Sequence, residues 1–152
     1  MTPALRSPRW AAPASLTLTV IGLLVSAYLT YEHYTSSSTL ACSDNGKINC
    51  LKVTTSSYAK IFGVIPVADL GLFFFLAMTV LCLPVLWRSE NELVARVRLG
   101  GCLVGLVSAL YLIGVEILGV DAICLWCTGV HVVTFLLFVV VALAGAYAEP
   151  DL

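Results

Sequence analysis

Residues 124–127 read Cys-Leu-Trp-Cys and stand at the start of a long apolar run. Two thiols three residues apart share a face if the segment is helical, and they can close a disulfide without unwinding the turn. The first turn of a helix also offers unpaired amides and the positive end of the dipole, both of which stabilise a thiolate. Cys124 and Cys127 are therefore expected to form a reactive dithiol. Gly119 and Asp121 allow the chain to reverse just before the pair, and Asp121 is expected near the helix cap. A second pair, Cys42 and Cys50, brackets the polar, turn-forming stretch Ser-Asp-Asn-Gly-Lys-Ile-Asn. Such a stretch can bend two sulfurs together and can move as an arm. From the residues alone, three uses stay open for the four cysteines: a reactive dithiol beside a mobile arm, a static disulfide stapling the loop, and a four-cysteine zinc site. Seven residues separate Cys42 from Cys50. A structural zinc pair usually has roughly two to four, so the spacing counts against metal and none is expected.

What must position these pairs is a membrane bundle. The chain of 152 residues has a mean hydropathy of +0.99 and only 11% charged residues, well below the share in soluble domains. A net charge of −1 provides no basic surface for nucleic acid. Four apolar segments approach the 20 or so helical residues that cross a hydrocarbon core, over residues 16–34, 64–87, 99–120 and 123–147. The expected fold is an all-α membrane protein, a four-transmembrane-helix bundle forming one domain over residues 1–152. Glycines and small residues such as Gly100, Gly101, Gly105 and Ser108 suit close helix contacts in lipid.

Arg6 and Arg9 precede the first segment, and Arg88, Arg96 and Arg98 lie in or beside the second connection. Cytoplasmic flanks retain positive charge, so both of these regions and both termini are expected in the cytoplasm. The loop 35–63, with Lys47, Lys52 and Lys60, then lies outside the plasma membrane. A cleaved leader ending at Cys42 is a second reading of the N-terminus. It fits poorly, because Thr39 and the polar stretch 35–38 separate the apolar run from that cysteine. With the retained helix, Cys42, Cys50, Cys124 and Cys127 share the extracytoplasmic side, where disulfides persist. Cys82 and Cys102 fall near the other side and are expected to behave as small hydrophobes.

The order Cys42-x7-Cys50, the following Leu51-to-Gly71 segment with Ser56 and Gly63-x-x-Pro66, and Cys124-Leu-Trp-Cys127 together resemble the vitamin K epoxide reductase family, in its bacterial disulfide-forming branch. The likeness covers nearly the whole chain. It implies a quinone-dependent thiol oxidoreductase in which Cys42 and Cys50 collect electrons from an extracytoplasmic thioredoxin-fold protein of the DsbA-like kind. Cys50 would exchange with Cys124 through a mixed disulfide, and Cys127 would face a quinone of menaquinone, ubiquinone or vitamin K type. The chain ends five residues beyond Tyr147, so the partner is expected to be a separate protein. Reduction of vitamin K epoxide is the alternative within the family, and a non-catalytic scaffold with a stapled loop the alternative outside it.

Residues 51–62 are expected to form a short amphipathic helix that lies over the bundle mouth as a lid, with Leu51, Tyr58, Ile61 and Phe62 toward one side. The resemblance implies a hydroxyl near the reactive sulfur or quinone at Ser56; the helical wheel puts Ser56 on the polar side, with Lys52 and Lys60. Ionisable residues inside or beside apolar segments are functional candidates. Glu32, His33 and Asp69 are expected to be solvated at the outer boundary, and Glu116 lies about one turn before the end of its segment. His131, four residues beyond Cys127 on the same helical face, suits a quinone oxygen or a proton relay; the alternative is a packing histidine.

Overall fold

The computed structural model describes residues 5–35, 42, 45–89 and 91–150. The Thr/Ser-rich stretch of the loop, part of the polar link between Cys42 and Cys50, and the last two residues lie outside the described residues. Helix α1 (Ala11–Thr35) is followed by the loop elements: α2 (Cys50–Thr54), a 3-10 turn (Ser57–Ala59), and the strands β2 (Lys60–Ile61) and β3 (Ile65–Pro66). Then come α3 (Val67–Leu81), α4 (Pro84–Arg88), α5 (Glu92–Gly114) continued by a π-helical turn (Val115–Val120), and α6 (Leu125–Ala146). Two-residue strands β1 (Leu5–Arg6) and β4 (Glu149–Pro150) pair antiparallel where the two ends of the chain meet.

Among the described residues, three helices have the length and apolarity to cross a membrane: α1, α5 with its π turn, and α6. The chain is an all-α membrane protein. The second expected span, 64–87, is not one continuous helix. Its α3 has 15 residues, and the chain breaks at Cys82 and Leu83 before α4. Pro84 is the cause, since it has no N–H to continue the ladder and forces the preceding Leu83 to an extended ψ of 141°.

Helix α1 packs along α3 and α6, and α6 along α5. The buried seam of α1 is made of small residues at helical spacing: Ala11, Ser15, Thr19, Gly22 and Ser26. At Gly22 the Phe75 ring occupies the place a Cβ would take, so the close approach of α1 and α3 requires glycine there. Leu24, Phe73, Val104, Val107 and Leu118 point outward and exposed, a surface suited to hydrocarbon.

At the Pro84 end, Met78, Cys82, Cys102, Leu137 and Val141 form the buried core. Arg98 is buried beside it. Its Nε donates to the Leu81 carbonyl at 2.9 Å and its Nη2 to the Leu86 carbonyl at 3.2 Å, one carbonyl on each side of the break. The guanidinium lies 3.7 Å over the Trp87 ring, whose Nε1 donates to Ser15 Oγ at 3.0 Å. The arginine therefore closes the gap that the proline opens.

The expected lid helix is shorter than its pattern implied. After one turn, Thr54 Oγ1 donates to the Cys50 carbonyl at 2.9 Å and Thr55 Oγ1 to the Leu51 carbonyl at 2.7 Å. These β-branched residues compete for the backbone and weaken continuation. Further on, Phe62 and Gly63 have φ of 53° and 71°, so the chain turns back and pairs Ile61 with Ile65. Phe62, expected on the packed side, is 96% exposed at the tip of this hairpin.

Candidate active site

The π turn ends at Asp121, whose φ of 50° reverses the chain toward α6. Asp121 does not cap that helix; its Oδ1 accepts from Lys47 Nζ at 3.3 Å, across to the cysteine loop. Next to this exposed pair, Ile48 and Ile123 form a one-residue parallel bridge. Ile123 N donates to the Lys47 carbonyl at 2.8 Å, and Asn49 N to the Ile123 carbonyl at 3.1 Å. The bridge joins the two segments just ahead of one residue of the loop pair and one residue of the helix pair. Those residues are Cys50 and Cys124, both buried.

Each cysteine opens a helix. Asn49 caps α2 by accepting from Lys52 N at 2.8 Å, which makes Cys50 the first helical residue. Cys124 is itself the cap of α6. Its Sγ accepts from Cys127 N at 3.3 Å, and its carbonyl accepts from Thr128 N at 2.8 Å and Thr128 Oγ1 at 2.9 Å. A sulfur that receives an amide at a helix start is favoured as thiolate, as the spacing of the pair implied. Cys42 and Cys50 are joined in a disulfide, whereas Cys124 and Cys127 are free thiols.

His131 is buried one turn further along α6, and its Nδ1 has no hydrogen-bond partner among the described residues. Ser56 is half-buried and donates to the Val53 carbonyl at 2.8 Å. Tyr58 leans on Gly119 and, with Leu110, Tyr111, Gly114 and Leu118, lines an open cleft of about 470 Å³ between the loop and α5. The cleft is lined by none of the four cysteines.

Glu116 is 6% exposed, and its Oε2 accepts from Cys124 N at 3.2 Å. The sequence marked Glu116 only as an ionisable residue in an apolar segment; the π turn that aims it carries no pattern of its own. Of the three residues expected in solvent, Glu32 is buried, and Asp69 Oδ2 accepts from Tyr34 Oη at 2.7 Å while its Oδ1 is buried. Neither is simply solvated.

Cys82 and Cys102 are fully buried in the core at the far end of α3 and the near end of α5. Replacing both with alanine is expected to leave thiol oxidation within about twofold of the parent and to lower stability by about 1–2 kcal/mol. Thiol turnover measured beside a detergent melting curve checks this, and a folded variant without turnover would make them part of the chemistry.

Apolar spanning helices with a disulfide and a dithiol gathered at one end define an integral membrane thiol protein. The chain matches the vitamin K epoxide reductase family over residues 13–142, and it belongs to that family. No curated protein matches it. The matched stretch contains both cysteine pairs, Ser56, Glu116 and His131. Membership and the cysteines make the protein a thiol oxidoreductase, in a family whose members are generally quinone-linked.

Proposed function

We propose that the protein oxidises the dithiol of a separate extracytoplasmic thioredoxin-fold protein and delivers the electrons to a membrane quinone, so supporting disulfide formation. The observation that carries this reading is the Ile48–Ile123 bridge, which ties the segment just ahead of Cys50 to the segment just ahead of Cys124. A partner thiolate attacks Cys42, the Cys42–Cys50 bond breaks, and the partner's second thiolate resolves the mixed disulfide. The loop is left as a dithiol and the partner as a disulfide. Cys50 then attacks Cys124 of an oxidised helix pair, releasing the Cys127 thiolate. Cys42 attacks Cys50, which restores the loop disulfide and leaves Cys124 and Cys127 reduced. The pairing found here, loop bonded and helix pair free, corresponds to the end of that exchange.

A quinone, when bound, accepts the two electrons and two protons released as Cys124 and Cys127 close into a disulfide. The residues present fit such a group, because the unpartnered Nδ1 of buried His131 offers a polar contact in an apolar setting one turn from Cys127. His131 would hold a quinone oxygen. Ser56 would join it only by giving up its bond to the Val53 carbonyl.

In this reading residues 1–152 form one domain with four spans in the plasma membrane, α3 and α4 together making the second. The arginine-rich flanks and both termini face the cytoplasm, and the cysteine loop faces outward. Detergent-solubilised protein mixed with a reduced thioredoxin-fold oxidase and a quinone is expected to bleach the quinone absorbance, while a cysteine-free control does not. Equal traces would refute the reading. Turnover only with vitamin K epoxide would replace it by the epoxide reductase.

A further inference from the structure

Glu116 has no part in the electron route described above, yet it is a buried carboxyl in contact with the backbone of a reactive cysteine. It stands at the second position of the π turn, where the wider winding sends successive carbonyls and side chains off the α-helical register. Such turns are frequent at functional sites. The Glu116 carbonyl accepts from Asp121 N and, at 3.1 Å, from Ala122 N. Its carboxylate reaches past them to Cys124 N. Together with the Ile123 bonds to the loop, the backbone amides from Asp121 to Cys124 are all engaged.

The cysteine that caps α6 has an extended backbone, with φ of −97° and ψ of 116°, and in that conformation its Sγ turns back to the Cys127 amide. The position of the sulfur therefore depends on what holds the Cys124 peptide. Removing the carboxyl would strand a fully buried N–H and free the cap to rotate.

We propose that Glu116 is a positioning residue for the Cys124 thiol, acting through its backbone N–H to hold the sulfur at the head of α6 against the Cys127 amide. The assignment rests on Cys124 being the exchange thiol. An acceptor oxygen at this reach is the required feature. Glutamine supplies one on a side chain of equal length; aspartate is a methylene too short, and alanine has none.

The test uses the full chain in detergent with Glu116→Gln, Glu116→Asp or Glu116→Ala, each read in two ways. One is hydrogen exchange of the Cys124 amide. The other is the rate at which a Cys50–Cys124 link forms in a Cys127→Ser background. Aspartate and alanine are expected to speed amide exchange and slow linking by about tenfold or more, whereas glutamine stays within about threefold of the parent. If alanine fails to fold, the aspartate and glutamine pair decides. Linking unchanged in the aspartate variant would overturn the proposal, as would glutamine falling as far as aspartate, which would assign the effect to charge. A Glu116 parent that forms no link at all refutes the relay, and the amide arm then decides the role of Glu116 alone.

Discussion

Replacing Cys127 with serine is expected to end quinone reduction and to accumulate a covalent link between Cys50 and Cys124. The loss should reach a thousandfold or more, roughly the order seen when an essential nucleophile is removed. In this variant the free Cys124 thiolate attacks Cys50 of the loop disulfide, the Cys42–Cys50 bond breaks and Cys42 leaves as thiolate, and the mixed disulfide persists because the Cys127 thiolate that would resolve it is missing. Cys127 would release Cys124 toward the helix disulfide, and Cys42 would release Cys50 toward the loop disulfide found here. Cys42→Ala is therefore expected to enrich the same link from the other side. The bridge at Ile48 and Ile123 joins the chain two residues ahead of Cys50 to the chain one residue ahead of Cys124. Peptide mapping under non-reducing conditions reads the outcome. A scaffold would instead keep an inert Cys42–Cys50 bond in the parent and show no loop-to-helix link in either variant, and that result would end the relay order.

The largest stability effect is expected at the other end of the bundle. Arg98→Ala removes two charged hydrogen bonds to the Leu81 and Leu86 carbonyls and the stack on Trp87, and it leaves the carbonyls flanking the Pro84 break without that donor. A bond from a charged donor contributes about 1.5–3 kcal/mol, and a desolvated cation–π contact about 2. A net loss of about 3–5 kcal/mol follows after relaxation. Arg98→Lys keeps the charge but not the planar fork, and is expected to recover less than half. Unfolding in detergent at fixed micelle concentration measures both. An alanine variant within about 1 kcal/mol of the parent would mean that water or lipid headgroups take over the carbonyls.

The cap at Cys124 was legible because cysteine spacing is local. Cys124 and Cys127 lie one helical turn apart, and the sequence alone implies a thiolate-favouring cap. Their relation to Cys50 came only from the family resemblance, since the one-residue bridge between Ile48 and Ile123 leaves no periodic trace. Hydropathy is blind to backbone continuity, so the run around Pro84 read as one span although the proline was in view. Arg98 was counted as a flanking charge, whereas its stem and fork are buried against Trp87 and two carbonyls. The loop helix was overextended because its apolar residues fit a helical wheel, while the threonine hydroxyls and the left-handed Phe62 and Gly63 gave the backbone other uses. The π turn that aims Glu116 had the same cause, a backbone choice with no side-chain signature.

Among the described residues, two backbone hydrogen bonds and one exposed ion pair join the cysteine loop to the head of α6 at a seam. The bonds contribute about 1 kcal/mol each and the ion pair little, so these contacts by themselves supply about 2 kcal/mol. At that value the seam is undone in roughly 3% of molecules at any instant. Loops of this size move in nanoseconds to microseconds. A partner at about 1 μM, docking at about 10⁶ M⁻¹ s⁻¹, arrives only about once per second. In the proposed relay, a seam held by these contacts alone opens and shuts many times between such arrivals, so that client arrival is slower than the door.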